Sequence, residues 1–390
     1  MVLACVTMPA SALADITGKA VTVVNFWDEE DGTSNSSASE YFDLRSRGNL
    51  GLYRLDIEAS GRATAIQNEF YPGDDELNRL YSLALSLSDS EMNKSLTLGR
   101  QTVSPLTGPL LLDGASFYLT TGPFTLDTRL GFLANVTGDE PNNDRALGIG
   151  FNYMIKSGMY LSMDYARTFA NGSLLTELLA ADWSYSWHRY TKAYLTINYD
   201  LMSRMLHEAL LGARLFFSDR LTAMFQYSQN AFQFDSDSIY SVFAIDPAQE
   251  TSFSLLFTPD KNLRYLLEYA WESFTEGAGG RRYKMGARWS PGNSRLNGGL
   301  TQHRGFGGGM TEVSLSASTP ILPSLDLGIG GDFTNTNNDD EDTVASYAVF
   351  LGSDWTLSPR SRLTVRLEQG DDETLVDPTW SGRLSFSLEL

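Results

Sequence analysis

Apolar and polar residues alternate with a period of two from one end of the chain to the other. Near residue 195, Ala193, Leu195, Ile197 and Tyr199 hold one parity, and Lys192, Thr196, Asn198 and Asp200 hold the other. Leu179, Ala181, Trp183, Tyr185 and Trp187 repeat the pattern against Asp182, Ser184, Ser186 and His188. Tyr283, Met285, Ala287 and Trp289 repeat it against Arg282, Lys284, Gly286 and Arg288. Successive side chains of a strand point to opposite faces, so each stretch makes a ribbon with one apolar and one polar surface. Soluble sandwiches alternate too. This many long ribbons with aromatic ends instead predict an all-β transmembrane antiparallel barrel, apolar outside and polar within. Rings with a polar tip settle at headgroup level, so Trp183, Tyr185, Trp187, Tyr199, Tyr269, Trp271 and Trp289 are expected in interfacial girdles. Leu210, Phe216 and Phe350 break the rule, since each sits on the polar parity of its ribbon.

The connections fall into two kinds. Thr121-Gly122-Pro123, Ser157-Gly158, Ser218-Asp219-Arg220 and Pro291-Gly292-Asn293-Ser294 are short and rich in turn formers. The stretches 28–40, 67–78, 234–250, 335–343 and 370–379 read as long loops. Short periplasmic turns and longer extracellular loops are the pattern of outer-membrane barrels. Dividing the chain beyond residue 14 by roughly 18 residues per strand and turn gives about 20 strands, with 18 to 22 accepted and an even number expected. No linker divides residues 15–390, which read as one domain.

Composition changes the picture in three ways. With 42% hydrophobic residues and a mean hydropathy of −0.21, the chain has no run long enough for a spanning helix. A barrel escapes that test because alternate residues face the lumen. The net charge of −19, with no offsetting basic patch, argues against nucleic acid as a partner. Residues 1–14 form a short apolar stretch ending in Ala12-Leu13-Ala14, the small-x-small pattern that signal peptidase admits. Those residues are read as the remnant of a signal peptide, although the usual basic start is missing. Cys5 is the one cysteine, so no disulfide framework and no Cys-x-x-Cys-His haem site exists.

The last ribbon carries Leu384, Phe386, Leu388 and Leu390 on one parity, and Leu98-Gly99-Arg100-Gln101 is followed by Leu112-Asp113-Gly114-Ala115. In these features the chain resembles bacterial outer-membrane β-barrel proteins. It departs from them in ending on Leu390, where the family usually has Phe. The Gly-Arg-Gln and Asp-Gly pair is similar to that of porin-like barrels, which include the barrel subunits of porin–cytochrome conduits. The resemblance implies an outer-membrane location and contact with membrane lipid and lipopolysaccharide.

If the polar parity faces inward, it carries charges of both signs. Arg54, Asp56 and Glu58 share one face of a ribbon, Arg264 and Glu268 another, Arg282, Lys284 and Arg288 form a basic stripe, and Arg362 and Arg366 a second. Such rows are expected to line a water-filled pore and bias its ion preference. The acidic runs at 28–31, 73–76, 339–342 and 370–373 read as a solvated rim and match no EF-hand spacing. His188, His207 and His303 are scattered, outside any metal-ligand spacing. Gly305-Phe306-Gly307-Gly308-Gly309 lacks the context of a phosphate loop and reads as an ordinary loop. The expected function is porin-like passage of small hydrophilic solutes or ions, without catalysis, cofactor or metal. Residues 234–250 are the expected constriction, on length alone. Two alternatives stand beside it: a sheath holding a separate multihaem cytochrome, and a scaffold for surface loops.

Overall fold

The structure is a computed structural model that describes residues 15–28, 34–66, 79–89, 91, 93–134, 144–155, 158–187, 190–230, 248–273, 279–305, 308–337, 343–372 and 378–390. The first strands are β1 (Asp15–Asp28), β2 (Ser34–Leu50), β3 (Tyr53–Ile66), β4 (Arg79–Asp89), β5 (Lys94–Val103), β6 (Leu110–Thr121) and β7 (Phe124–Leu133). Then come β8 (Arg145–Ile155), β9 (Met159–Ala170), β10 (Ser173–Trp187), β11 (Thr191–Asp200), β12 (Met205–Ser218), β13 (Leu221–Asn230) and β14 (Ala248–Asp260). The series ends with β15 (Leu263–Ser273), β16 (Gly279–Trp289), β17 (Arg295–Gly305), β18 (Gly308–Leu322), β19 (Leu325–Asn337), β20 (Val344–Ser358), β21 (Ser361–Asp372) and β22 (Thr379–Glu389).

Every strand pairs antiparallel with its neighbours in sequence, and β22 pairs with β1, setting Leu384 opposite Val24. The sheet therefore closes on itself. Closure leaves no edge with unpaired backbone groups, the condition for carrying strands through hydrocarbon. Twenty-two strands is the upper end of the expected range. β1 begins and β22 ends at the rim that carries tight turns such as 51–52, 122–123 and 359–360, and β3 and β13 end at the other rim, where the connections to the next strand are longer.

The outward parity is apolar. Leu315, Ile329 and Leu351, on consecutive strands, are 70%, 61% and 55% exposed. Water would not leave side chains of this size uncovered, so the band is one that lipid meets. Trp187, Trp271, Trp289, Trp355 and Trp380 are exposed near strand ends, as girdles require.

Several expected loops are shorter than read. The Ser- and Asn-rich stretch from Ser34 to Glu40 continues β2, because its backbone pairs with β1 from Asp28 to Thr22. The expected loops at 234–250, 335–343 and 370–379 likewise lose residues to β14, β19, β21 and β22. Within the glycine run, Gly305 ends β17 and pairs with Gly308 at the start of β18. Residues 1–14, 67–78, most of 234–250 and most of the acidic runs lie outside the described residues.

Candidate pore lining

A buried charge cluster identifies the inner face. Arg129 on β7 is 2% exposed and Asp164 on β9 4%. Arg129 Nη2 donates to both Asp164 oxygens at 2.5 and 2.6 Å, and its Nη1 donates to Asp127 at 3.0 Å. The reach from β7 to β9 passes over β8 at Gly148, where an added Cβ would lie 2.5 Å from the Arg129 Nε. Thr107, in the β5–β6 connection, donates to Asp164 Oδ2 from its hydroxyl at 2.7 Å and its backbone N–H at 3.3 Å. The connection itself turns with Gly108 N–H donating to the Pro105 carbonyl. A segment that leaves β5 and docks on β9 takes the chord across β6, β7 and β8, which in a closed barrel runs inside. The 104–109 segment thus folds inward, a role expected of 234–250. Its sequence signal was faint: two prolines around Thr107 within six residues.

The Gly-Arg-Gln and Asp-Gly motifs have a structural account close by. Gly99, Gly114 and Gly131 stand side by side on β5, β6 and β7. A Cβ on Gly114 would come within 2.2 Å of the Leu130 carbonyl oxygen, and Gly99 has a φ of +116° besides a clash with the Leu83 carbonyl. Only glycine fits so close an approach of backbones. Arg100 forms a bidentate pair with Asp113, at 2.8 and 2.6 Å, on the outward parity toward the strand ends that 104–109 joins. The motif serves the wall, not the bore.

Cross-strand partners trace the inner face around the sheet. From Asp164 the path runs through Ala180, Asn198, Glu208 and Asn230 to Ala248, whose parity carries Glu250. Glu250 opposes Glu272, and the same face then holds Glu268, Arg264, Arg282, Lys284 and Arg288. Beyond His303 the path continues to Arg362 and Arg366 and returns through Arg383 and Asn25 to Arg54, Asp56 and Glu58. All ten residues singled out in the sequence share this face.

Their electrostatics differ from a set of free rows. Arg54 pairs with Asp56 at 3.0 Å, Arg47 joins Asp56 at 3.2 Å, and Arg45 lies 3.9 Å from Glu58. Arg362 pairs with Asp354, and Arg366 with Glu368 at 2.9 Å. Arg366 also lies over the Phe350 ring at 4.3 Å, which accounts for an aromatic on the polar parity as a cation–π partner. The 282–288 stripe is split. Arg282 is held by Glu250 at 2.9 Å, Glu272 at 3.1 Å and Glu268 at 3.5 Å, and Glu272 accepts from His303 Nε2 at 3.0 Å. Three carboxylates around one guanidinium leave this cluster net acidic. It lies toward the rim of long connections, since Glu272 and His303 sit near the ends of β15 and β17 there.

Toward the turn rim the sign reverses. Arg264 faces Arg288 across β15 and β16, and Lys192 faces Arg214 across β11 and β12. Arg288 donates to Asn297 Oδ1 at 2.9 Å and Arg214 points at the Met224 sulfur at 3.6 Å. Lys284 stands opposite Glu268, whose carboxylate leans to Arg282. Such pairings depend on register and rotamer, which periodicity does not carry.

His207 and Ser203 both reach Asp200, at 3.5 and 2.8 Å, so hydroxyl and imidazole address the carboxylate rather than each other. Among the described residues no group of three His, Cys, Asp or Glu is arranged to hold a metal. His188 lies outside them.

No family model matches the chain, and no curated protein is significantly similar to it. Solved structures do match over nearly its whole length. A BenF-like porin from Pseudomonas fluorescens Pf-5 aligns with a TM-score of 0.52 at 9% identity, covering 97% of this chain and 99% of that one. The outer membrane protein opdK from Pseudomonas aeruginosa aligns with a TM-score of 0.50 at 12% identity, covering 97% and 99%. OpdO from the same organism also gives 0.50 at 12% identity, covering 97% and 98%. Identities this low speak for architecture. The chain has the closed transmembrane β-barrel fold of outer-membrane porins.

Proposed function

We propose that this protein is an outer-membrane channel for the passive passage of small hydrophilic solutes or ions. One observation carries the reading: a closed 22-strand barrel whose outward face is an exposed apolar band and whose inner face is mostly polar and carries charges of both signs. A barrel of this strand number encloses more space than its own side chains fill. The 104–109 segment, clamped by Asp164 and Arg129, narrows the bore from one side. Arg54, Asp56, Glu58, Arg264, Glu268, Arg282, Lys284, Arg288, Arg362 and Arg366 line the passage, and the unneutralised cations among them set its ion preference. Residues 1–14 direct export. The mechanism requires no bond making, and the porin neighbours named above supply the analogy.

The sheath reading, in which the barrel holds a multihaem cytochrome, gains no support from those neighbours. The refolded chain in a planar bilayer tests the proposal. Discrete, stable conductance steps are the expected result, and repeated insertion without conductance would overturn it.

A further inference from the structure

The outward face changes character toward the rim of longer connections. On β16–β19 the rung nearest that rim carries Arg281, Arg304, Gly309 and Asn337, and the next carries Tyr283, Gln302, Thr311 and Asn335. Below them the rungs turn apolar, first Leu300, Val313, Phe333 and Tyr347, then Gly298, Leu315, Gly331 and Val349. Same-face rungs follow one another at roughly 7 Å along a strand, so the polar band stands at headgroup level above hydrocarbon.

Arg281 faces Arg304 directly across β16 and β17, and both side chains are exposed. Like charges placed directly across a sheet repel. The outward parity of β16–β20 holds no Asp or Glu, and neither arginine has an ion-pair partner among the described residues. Arg100 and Arg167, on the outward parity toward the same rim, each have a carboxylate of their own, Asp113 and Glu177. In a chain of net charge −19, a bare cationic pair is a place where an anion from outside is favoured.

Two recesses adjoin the pair. One, of about 470 Å³, is lined by Gln302, Arg304, Thr311, Asn335 and Asn337, so amides and a hydroxyl surround it. The other, of about 860 Å³, is a trough over the apolar rungs below, lined by Leu296, Gly298, Leu315, Ile329, Leu351 and Trp380. Glycine gives the trough its depth, since Gly298 and Gly331 flank Leu315 on either side.

Guanidinium groups suit phosphate, amides and hydroxyls suit sugar, and an apolar trough suits a hydrocarbon chain. A free anion would neutralise the arginines and leave the trough unfilled. A fatty chain alone would leave the arginines repelling. A second copy packed through this same face would bring two more arginines to the rim and no acid. One class of molecule in an outer leaflet combines all three chemistries, a phosphorylated glycolipid with acyl chains. We propose that the outward face of β16–β20 binds the lipid A portion of lipopolysaccharide. A phosphate lies between Arg281 and Arg304, the sugar against Gln302, Thr311 and Asn335, and an acyl chain in the trough. This site stands or falls independently of passage through the bore.

Native mass spectrometry of the refolded, delipidated barrel tests it, with bisphosphorylated lipid A as probe and dephosphorylated lipid A and phosphatidylglycerol as controls. A single bisphosphorylated lipid A is expected to stay bound, with both controls weaker by roughly tenfold or more. R281Q/R304Q, which relieves repulsion and so should fold at least as well, should weaken bisphosphorylated lipid A roughly tenfold and leave the dephosphorylated form unchanged. At Gly298 an added Cβ meets the Leu315 side chain at an ordinary 3.6 Å, so a larger residue can enter the trough. G298F should therefore weaken both forms of lipid A. Equal affinity for the two forms, phosphatidylglycerol binding as tightly, or unchanged binding in either variant would each overturn the proposal. A barrel that binds no lipid A and pairs through this face, its oligomers lost in G298F, would overturn it in favour of a second copy.

Discussion

Asp164 carries more than its one charge. It pairs with Arg129, which is almost wholly buried, and it accepts both hydrogen bonds from Thr107. Removing one member of a buried pair leaves the other uncompensated, at a cost of about 3–5 kcal/mol. Asp164→Ala is therefore expected to release the 104–109 segment and raise single-channel conductance, together with a lower denaturant midpoint. A variant with unchanged conductance would show that the segment does not narrow the bore. Lys284 and Arg288 make the complementary case. Replacing both with Glu should move reversal potentials toward cation preference, most clearly below 0.1 M salt, where the Debye length exceeds about 10 Å. The same change at Arg282 should matter less to net sign, since three carboxylates already surround it. The alternation of residues makes the facing of these side chains legible from sequence. Their partners are not, because Arg129 finds Asp164 across an intervening strand by reaching over Gly148. That contact is set by register and by an absent side chain.

At the scale of the strand, the hydrophobic pattern was a reliable guide wherever one face meets lipid. Leu351 lies in the middle of β20, between Val349 and Trp355 on the outward parity, and is 55% exposed. Leu351→Arg should cost roughly 2–4 kcal/mol in a refolding titration from denaturant into lipid vesicles, as expected near a bilayer midplane. A change near zero would contradict the outward assignment. Strand ends were harder to read. Ser34 to Glu40 looks like a loop because Ser and Asn dominate it, yet β1 supplies backbone partners along its whole length. Near a barrel rim neither face needs to be apolar, so composition stops reporting on structure while the ladder goes on. The same reasoning explains why four of the five expected long loops shrank, 67–78 alone keeping its bounds between β3 and β4.

For the molecule as a whole, the fold class follows from rhythm and length, and the strand count falls within its range. Closure does not follow from rhythm. It rests on β22 meeting β1 in a register that pairs Lys19 with Glu389, a contact between opposite ends of the chain. The distribution of charge along the bore is also a property of the whole, since it arises from strands far apart in sequence. The Arg282 cluster is acidic at one rim, and the Arg264–Arg288 and Lys192–Arg214 pairs are cationic toward the other. Along the wall from β11 to β17, fixed charge that changes sign from mouth to mouth is the aqueous counterpart of a semiconductor junction. Mobile ions accumulate inside it under one polarity and are swept out under the other, so the channel should rectify. Current–voltage curves in symmetrical dilute salt should bend in one direction, straighten as salt rises, and straighten too in the Lys284→Glu, Arg288→Glu double variant.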